Sequence, residues 1–309
     1  MRLSIVIPVY NAAATIARLV DEVFVHCGSF LQEIILVNDC SSDNSADVCN
    51  MLAERYSNVI AISLRKNSGE HNAVMCGLNY VTGDCVAIMD DDFQNPPTEI
   101  YKLYEEIQKG YDVVYSRYED KRHSFFRNAG SWFNNLIAGW LIDRPHGLYL
   151  SSFKIIHRDL VSEIIKYKGP FPYIDGLILR STSSISTVTV HHANRTYGKS
   201  NYNMPRLVSL YLNMFVNFSI RPLRILIFMG LALFIVGVLL LIAFVIEKLS
   251  NPHIPIGWTA IATLIITFSG FQILFLGLMG EYVGKQYLDQ NSTPQWVIKS
   301  VKKGSGYAE

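Results

Sequence analysis

The chain has 309 residues, a formal net charge of +1 at pH 7 and five cysteines. This length allows one large domain or two smaller ones, and the near-neutral charge gives no indication that nucleic acid is a partner. The cysteines are odd in number and form no CxxC pair, so neither a zinc site nor a disulfide framework is indicated. The mean hydropathy of +0.21 is high for a soluble enzyme.

Residues 3–116 alternate between short apolar runs and segments with helical periodicity. The apolar runs predict five β-strands, at Leu3–Val9, Glu33–Val37, Val59–Leu64, Cys85–Met89 and Asp112–Ser116. The segments between them predict helices at Ala12–Phe24, at Asn44–Tyr56, at His71–Tyr80 and from Thr98 onward. Strands that alternate with helices through short links predict an α/β fold with a Rossmann-like, doubly wound sheet.

Two kinds of sequence signal are missing from the N-terminal half. Neither the GxGxxG nor the GxxxxGKS/T pattern of a phosphate-binding glycine loop occurs. A nucleotide bound here would therefore be held by side chains and a metal ion. The apolar run Leu3–Val9 is too short for a signal peptide and is interrupted by Pro8, and it is typical of a strand buried on both faces.

Three consecutive carboxylates, Asp90–Asp92, follow the predicted strand that ends at Met89, and Phe93, Gln94, Asn95 and two prolines come next. Aspartate is depleted in strands, so the strand is predicted to end there. Carboxylate and amide oxygens are suitable ligands for Mg²⁺ or Mn²⁺. The carboxyl ends of parallel strands are also where open α/β sheets bind ligands. The motif predicts a divalent metal site, with an acidic surface turn as the alternative that the motif alone leaves open.

Residues 117–202 combine further predicted elements with basic side chains. Strands are predicted near Ser152–Ile156 and Ile185–His191, and helices near residues 132–141, from Arg158 and from about residue 171. Four cations stand out as a group: Arg117, Arg127, Arg195 and Lys199. Arginine's planar fork fits phosphate oxygens, so the group predicts a lipid-phosphate site between the sheet and the apolar C-terminal region. Taken singly, each is equally consistent with an ordinary surface cation.

The C-terminal third predicts association with a membrane. Polar residues recur every three or four positions over residues 205–220, which predicts an amphipathic interface helix within residues 203–222. Two uncharged runs, at residues 225–246 and 256–280, are long enough at about 1.5 Å per residue to cross a hydrocarbon core of about 30 Å. They predict a two-helix transmembrane domain over residues 223–282. Basic residues outside these runs place both termini and the tail, residues 283–309, in the cytoplasm.

The ordered set of motifs resembles the inverting GT-A glycosyltransferases of family 2, specifically those that use a polyprenyl phosphate. The resemblance runs from the first strand, through Asp90–Pro97, to Gly280–Lys285 after the second apolar run. It implies a GT-A sheet domain over residues 1–202, located on the cytoplasmic side of the bacterial inner membrane. It also implies a nucleotide-sugar donor, with a UDP-sugar preferred, and Mg²⁺ or Mn²⁺ as cofactor.

The same resemblance assigns roles to individual residues. It implies that the nucleotide is contacted by Pro8, Tyr10, Asn11, Asp39 and Asp91. It implies that Asp92 and Gln94 bind the metal ion and that Asp90 lies close to the donor. The acceptor phosphate is expected to be held by Arg117, Arg127, Arg195, Lys199 and Ser200.

The sequence departs from the family pattern in one segment. Many members carry an acidic residue where this chain reads Gly147–Lys154, and no carboxylate is present here. A polyprenyl phosphate has a second pKa near 6 and is already a nucleophile as the dianion, so the reaction needs placement and charge compensation more than a general base. The implied reaction is inverting transfer of the sugar to a lipid such as undecaprenyl phosphate, which supplies a lipid-linked sugar for modification of cell-envelope glycans.

Three other functions remain open from the sequence. A processive polysaccharide synthase normally has several spans and a QxxRW motif, which is absent. A membrane-anchored sensor or scaffold that binds nucleotide sugars without turnover is a second alternative. Transfer to a protein or to another lipid is a third, and it would require a general base. The small residues Gly277, Gly280 and Gly284 are also compatible with self-association of the second span.

Overall fold

The computed structural model describes residues 1–118, 148–191, 221–250 and 257–307. The chain forms two compact units, one of Met1–Asn203 with Ser292–Glu309 and the other of Met204–Asn291. The predicted helix at residues 132–141 lies outside the described residues, and so does nearly all of the predicted interface helix. Both stay predictions.

The first unit is built on an eight-stranded sheet. Its strands are β1 Leu3–Val9, β2 Leu31–Asn38, β3 Val59–Leu64, β4 Cys85–Ile88, β5 Val113–Tyr118, β6 Lys154–His157, β7 Ile185–Val190 and β8 Ile298–Lys303. The strand order is β7-β5-β6-β4-β1-β2-β3-β8. β6 runs antiparallel to β4 and β5, and β8 runs antiparallel to β3, whereas the other pairs are parallel. The predicted Rossmann-like α/β sheet is confirmed, as a mixed sheet.

Helices cover both faces of this sheet. They are α1 Ile16–Cys27, α2 Ser45–Arg55, α3 Glu70–Leu78, α4 Ile100–Ile107, α5 Arg158–Ile164 and α6 Ile174–Ser181. The core on one face joins α1, α2 and α4 to alternate residues of β1, among them Ile5 and Ile7. On the other face α3 approaches closely, because a Cβ atom at Gly77 would lie 2.5 Å from Cγ1 of Val6. β1 is therefore buried on both sides, as its largely apolar sequence predicts.

The C-terminal tail contributes the edge strand β8, which was not predicted from the sequence pattern. β8 pairs with β3, and the amide of Gly304 just beyond it donates to the carbonyl of Val59 at 2.9 Å. The hydroxyl of Tyr307 donates to Oε2 of the buried Glu33 at 2.6 Å. Residues 292–307 are thus an integral part of the sheet domain.

The second unit contains two long helices, α7 Arg221–Ser250 and α8 Trp258–Gln290. α7 covers the first predicted span and α8 covers nearly all of the second. Large apolar side chains remain exposed along both helices, including Phe228 at 69% and Ile273 at 70%. Within the described part of the chain, no helix was found that has both the length and the hydropathy of a membrane span.

Candidate functional site

The predicted site residues that the structure describes collect at one edge of the sheet. β1, β2 and β4 are parallel, and β4 and β5 share β6 as an antiparallel neighbour, so all four strands end at the same edge. This edge carries Tyr10, Asp39, Asp90–Asp92 and the exposed Arg117. The remaining predicted phosphate-binding residues lie outside the described residues: Arg127, Arg195, Lys199 and Ser200.

The turns that follow β1 and β2 are hydrogen-bonded to each other. Asn11 adopts a left-handed conformation with φ of 55°. Its Oδ1 accepts from the amide of Ser42 at 2.8 Å and from the hydroxyl of Ser42 at 3.1 Å. Ser45 Oγ accepts from the amide of Ala12 at 2.9 Å, and Asp43 Oδ2 accepts from the amide of Ala13 at 3.1 Å. The turn at residues 8–11 is therefore held in place by the neighbouring turn.

Asp39 is 3% exposed and organises the loop that precedes α3. Its two carboxylate oxygens accept from the amides of Ser68 at 2.7 Å and Gly69 at 2.9 Å. Burial raises the pKa of Asp39, and these two hydrogen bonds oppose the rise. Gly69 has φ of +90°, a conformation that favours glycine, and α3 begins at the next residue. Asp39 thus fixes where α3 starts, and its expected contact with a nucleotide stays a prediction.

The three carboxylates of the acidic motif have different partners. Asp90 Oδ2 accepts from the hydroxyl of Ser152 at 2.6 Å, and Asp91 Oδ2 accepts from the amide of Tyr10 at 3.0 Å. Asp92 Oδ1 accepts from the amide of Gln94 at 3.0 Å, across a tight turn in which Phe93 has φ of 61°. The motif is therefore tied to the turn after β1 on one side and to the segment before β6 on the other.

A buried ion pair lies at this edge, and the sequence pattern did not predict it. Lys154 Nζ is bonded to Asp175 Oδ1, and these side chains are only 4% and 9% exposed. The hydroxyl of Tyr115 donates to the same oxygen at 2.9 Å, and the ammonium lies 5.1 Å from the centre of that ring. Because β6 is antiparallel to its neighbours, its first residue, Lys154, lies opposite the last residue of β4. The sequence did contain a signal for this pair, because each of two apolar runs includes one charged residue. A buried charge is rare without a partner.

Four carboxylates lie near one another at this edge, and we call the region that they define the acidic cleft: Glu70, Asp90, Asp92 and Asp175. Loss of hydration raises the pKa of Asp90 to about 7. The negative charges of Glu70 and Asp92 raise this pKa further, whereas the hydrogen bond from Ser152 and the positive charge of Lys154 lower it. Loss of hydration also raises the pKa of Glu70, with Asp175 and Asp92 adding. Glu70 and Asp90 are accessible to water although protein surrounds them on most sides, as expected for the walls of a cleft.

The side chains of this cleft supply oxygen atoms of the chemical type that a hard divalent cation takes as ligands. The carboxylates outnumber the ammonium of Lys154 within the cleft, so added positive charge would be stabilised there. Mg²⁺ is commonly held by one or two carboxylates together with substrate phosphates. Over the described ranges, no group of three or more His, Cys, Asp or Glu side chains was found that could hold a metal ion.

Beside the cleft, His71 should make the stability of the protein depend on pH. Its ring packs edge-on to that of Tyr173 at 5.2 Å, and burial lowers its pKa from the ordinary 6.5 to about 4. Between these pH values the unfolded chain binds the extra proton, so stability falls as the pH falls through this window. We expect a loss of about 2 kcal/mol between pH 7 and pH 4 that is absent in His71→Gln, measured by chemical unfolding. Parallel pH profiles for the two proteins would contradict this.

Residues 4–165 match the family model described as Glycosyl transferase family 2, a class of glycosyltransferases. This match covers more than half of the chain, and the protein therefore belongs to glycosyl transferase family 2. The resemblance found in the sequence is confirmed.

Similarity to characterised relatives extends over almost the whole chain. The chain is 34% identical over 306 residues to the undecaprenyl-phosphate 4-deoxy-4-formamido-L-arabinose transferase of Yersinia pestis, covering 97% of this chain and 93% of the relative. The transferase of the same name from Photorhabdus laumondii is 33% identical over 310 residues, covering 97% and 94%. The similarity thus includes the helices of the second unit.

Solved structures confirm the fold of the sheet domain. The glucosyl-3-phosphoglycerate synthase of Mycobacterium tuberculosis, solved with Mn²⁺, UDP and phosphoglyceric acid, superposes with a TM-score of 0.52. The superposition covers 68% of this chain and 74% of that structure, at 18% sequence identity. At this identity the likeness concerns the fold alone.

Proposed function

We propose that this glycosyltransferase moves a sugar from a nucleotide sugar to a polyprenyl phosphate such as undecaprenyl phosphate. The proposal rests on one edge of the sheet. The negatively charged acidic cleft and the positively charged Arg117 both lie there. Such an edge offers one place for a metal-bound diphosphate and another for an acceptor phosphate. The nearly full-length similarity to relatives whose names specify undecaprenyl phosphate supports this choice of acceptor.

The donor is assigned to the turns at the ends of β1 and β2. Pro8, Tyr10, Asn11, Asp39 and Asp91 would form the nucleotide site, with Asp91 held by the backbone of Tyr10. Asp92 and Gln94 would hold Mg²⁺ or Mn²⁺, and the hydrogen bond from the amide of Gln94 to Oδ1 of Asp92 supports assigning them as a pair. When bound, the metal ion would neutralise the diphosphate and help it to leave. The solved synthase contains Mn²⁺ and UDP, which supports testing Mn²⁺ and a UDP-sugar first.

The acceptor phosphate would act as the nucleophile. Its oxygen attacks the anomeric carbon, the bond from that carbon to the donor's phosphate oxygen breaks, and the nucleoside diphosphate departs with the electron pair. Attack from the opposite side inverts the anomeric configuration. Arg117, together with Arg127, Arg195, Lys199 and Ser200, would hold the attacking phosphate. Because this nucleophile is already ionised near neutral pH, the absence of a carboxylate in the segment Gly147–Lys154 is compatible with the reaction.

A location at the membrane would give the enzyme access to its polyprenyl-phosphate acceptor. We assign the two spans to the apolar runs at residues 225–246 and 256–280, which lie on α7 and α8. Exposed large apolar side chains on both helices support this assignment, because a surface of this kind is costly in water. The sheet domain and both termini would face the cytoplasm of a bacterial cell, at the inner membrane. A homo-oligomer formed through the glycines of α8 belongs to the same proposal.

The proposal is tested by sugar transfer in detergent. Radiolabelled UDP-, GDP- and dTDP-sugars are incubated with the full-length protein and undecaprenyl phosphate, with and without EDTA. Undecaprenol, which lacks the phosphate, is the matched control acceptor. We expect one donor to give a chloroform-extractable, chelator-sensitive product with the phosphate lipid and none with the alcohol. Nucleotide binding without transfer from any donor would instead favour a sensor or scaffold.

A further inference from the structure

A buried glutamine lies in the segment through which the chain returns to the sheet domain after α8. We call residues 292–297 the return segment. Within it, Gln295 is 8% exposed, and its Nε2 donates to the carbonyls of Tyr167 at 3.1 Å and Gly169 at 2.7 Å. Both protons of the carboxamide nitrogen thus have partners on one loop. A buried side chain bonded in this way restrains the loop that it contacts.

The return segment also holds a second loop. The carbonyl of Val297 accepts from the amide of Arg65 at 2.8 Å. Arg65 opens the loop in which the amides of Ser68 and Gly69 donate to Asp39. One short stretch of chain therefore contacts two loops that lie far apart in sequence.

These two loops meet at the start of α3. Asn72 Nδ2 donates to the carbonyl of Ser68 at 2.8 Å and to that of Pro170 at 3.5 Å, which links one loop to the other. The loop at residues 65–69 leads into Glu70, and the loop at residues 167–171 leads into α6 with Asp175. Both carboxylates are walls of the acidic cleft. The contacts made by Gln295 and Val297 therefore reach the cleft through its own supporting loops.

We propose that Gln295 is a positioning residue for the donor cleft: it sets the spacing of the loops at residues 65–69 and 167–171, and thereby the positions of Asp39, Glu70 and Asp175. The role in donor binding rests on the proposed function. Gln295 touches neither the donor nor the reacting atoms, so its effect is indirect. It follows Gln290, the last residue of α8, by only a few positions in the chain. The return segment, which follows α8 in the chain, thus contacts the loops that support the cleft.

The test compares three variants of the full-length protein. Gln295→Met keeps the length of the side chain and removes both donors, whereas Gln295→Lys keeps an N–H donor at similar reach. Lys302→Ala is the matched control, because it removes a contact of β8 with Glu54 at the surface. For each variant, KM for the donor and kcat are measured with saturating acceptor. Hydrogen exchange of the ligand-free protein is followed at residues 65–72 and 167–175.

For Gln295→Met we expect the donor KM to rise about tenfold while kcat changes less than about threefold, as for loss of buried hydrogen bonds away from the reacting atoms. Exchange should accelerate in both loops and stay unchanged in β1 and β4. Gln295→Lys should recover most of the KM, and Lys302→Ala should resemble the wild type. A lower kcat at unchanged KM, or faster exchange spread evenly over the sheet domain, would overturn the proposal.

The exchange measurement separates this inference from the proposed function. If the wild-type protein transfers no sugar, the proposed function fails, and exchange in the ligand-free protein still reports on the loops. Acceleration confined to residues 65–72 and 167–175 in Gln295→Met would then support the positioning role. Unchanged exchange in both loops would overturn it.

Discussion

Asp92→Asn is expected to lower the rate of sugar transfer by about a hundred- to a thousandfold, the usual cost of losing one electrostatic contact to a departing group. Asparagine keeps the side-chain oxygen that accepts from the amide of Gln94, so the turn should stay intact. It removes the charge with which Asp92 would hold the metal ion. The rate is measured at saturating donor and across a range of Mg²⁺ and Mn²⁺ concentrations.

The control for this variant makes the same chemical change at the opposite end of β4. Asp84 precedes β4 and accepts from the amide of Arg2 at 2.6 Å, away from the cleft. Asp84→Asn should transfer sugar within about twofold of the wild-type rate, as expected for a surface change away from the site. If Asp92→Asn turned over as fast as the wild type at saturating metal, the assignment of Asp92 as a metal ligand would be wrong.

Lys154→Met should destabilise the sheet domain by about 3–5 kcal/mol, because it leaves the buried carboxylate of Asp175 without its cation. The hydroxyl of Tyr115 would remain as a partner of Asp175, but it carries no charge. The double variant Lys154→Met with Asp175→Asn removes both charges and should recover most of this loss. The free energy of unfolding is measured in urea for both variants, with the protein held in detergent.

An exposed ion pair provides the comparison. Lys109 pairs with Glu106 at 2.6 Å, and the lysine side chain is 63% exposed. Lys109→Met should leave the free energy of unfolding almost unchanged, since water screens such pairs. Equal stability of Lys154→Met and Lys109→Met would contradict a structural role for the buried pair.

The regular part of the fold could be predicted because its sequence pattern has few alternatives. β1 and β3 have the predicted bounds, since both are largely apolar runs buried on both faces. α1 begins at Ile16 rather than at the predicted Ala12. The reason is tertiary, because the amides of Ala12 and Ala13 are bonded to side chains of Ser45 and Asp43 in the neighbouring turn. Local periodicity contains no information about such a partner.

The parts that were missed depend on contacts between distant segments. β8 reads Ile298–Lys303 with three lysines, and only its pairing with β3 makes it a strand. Lys154 and Asp175 are separated by 21 positions in sequence, and the antiparallel direction of β6 is what places Lys154 at the cleft. The acidic motif was found because its three carboxylates are consecutive, whereas its partner Ser152 lies in a segment that the sequence marks only as a strand without an acid.

The chemical identity of the lipid product tests the central claim most directly. Attack by the lipid phosphate on the anomeric carbon predicts a sugar joined to the lipid through one phosphate, with release of one nucleoside diphosphate per sugar transferred. Mass spectrometry of the lipid extract, together with chromatography of the released nucleotide, measures both. A lipid that carries the sugar on two phosphates, with release of a nucleoside monophosphate, would contradict the account, because the donor would then have been cleaved at its diphosphate instead of at the sugar.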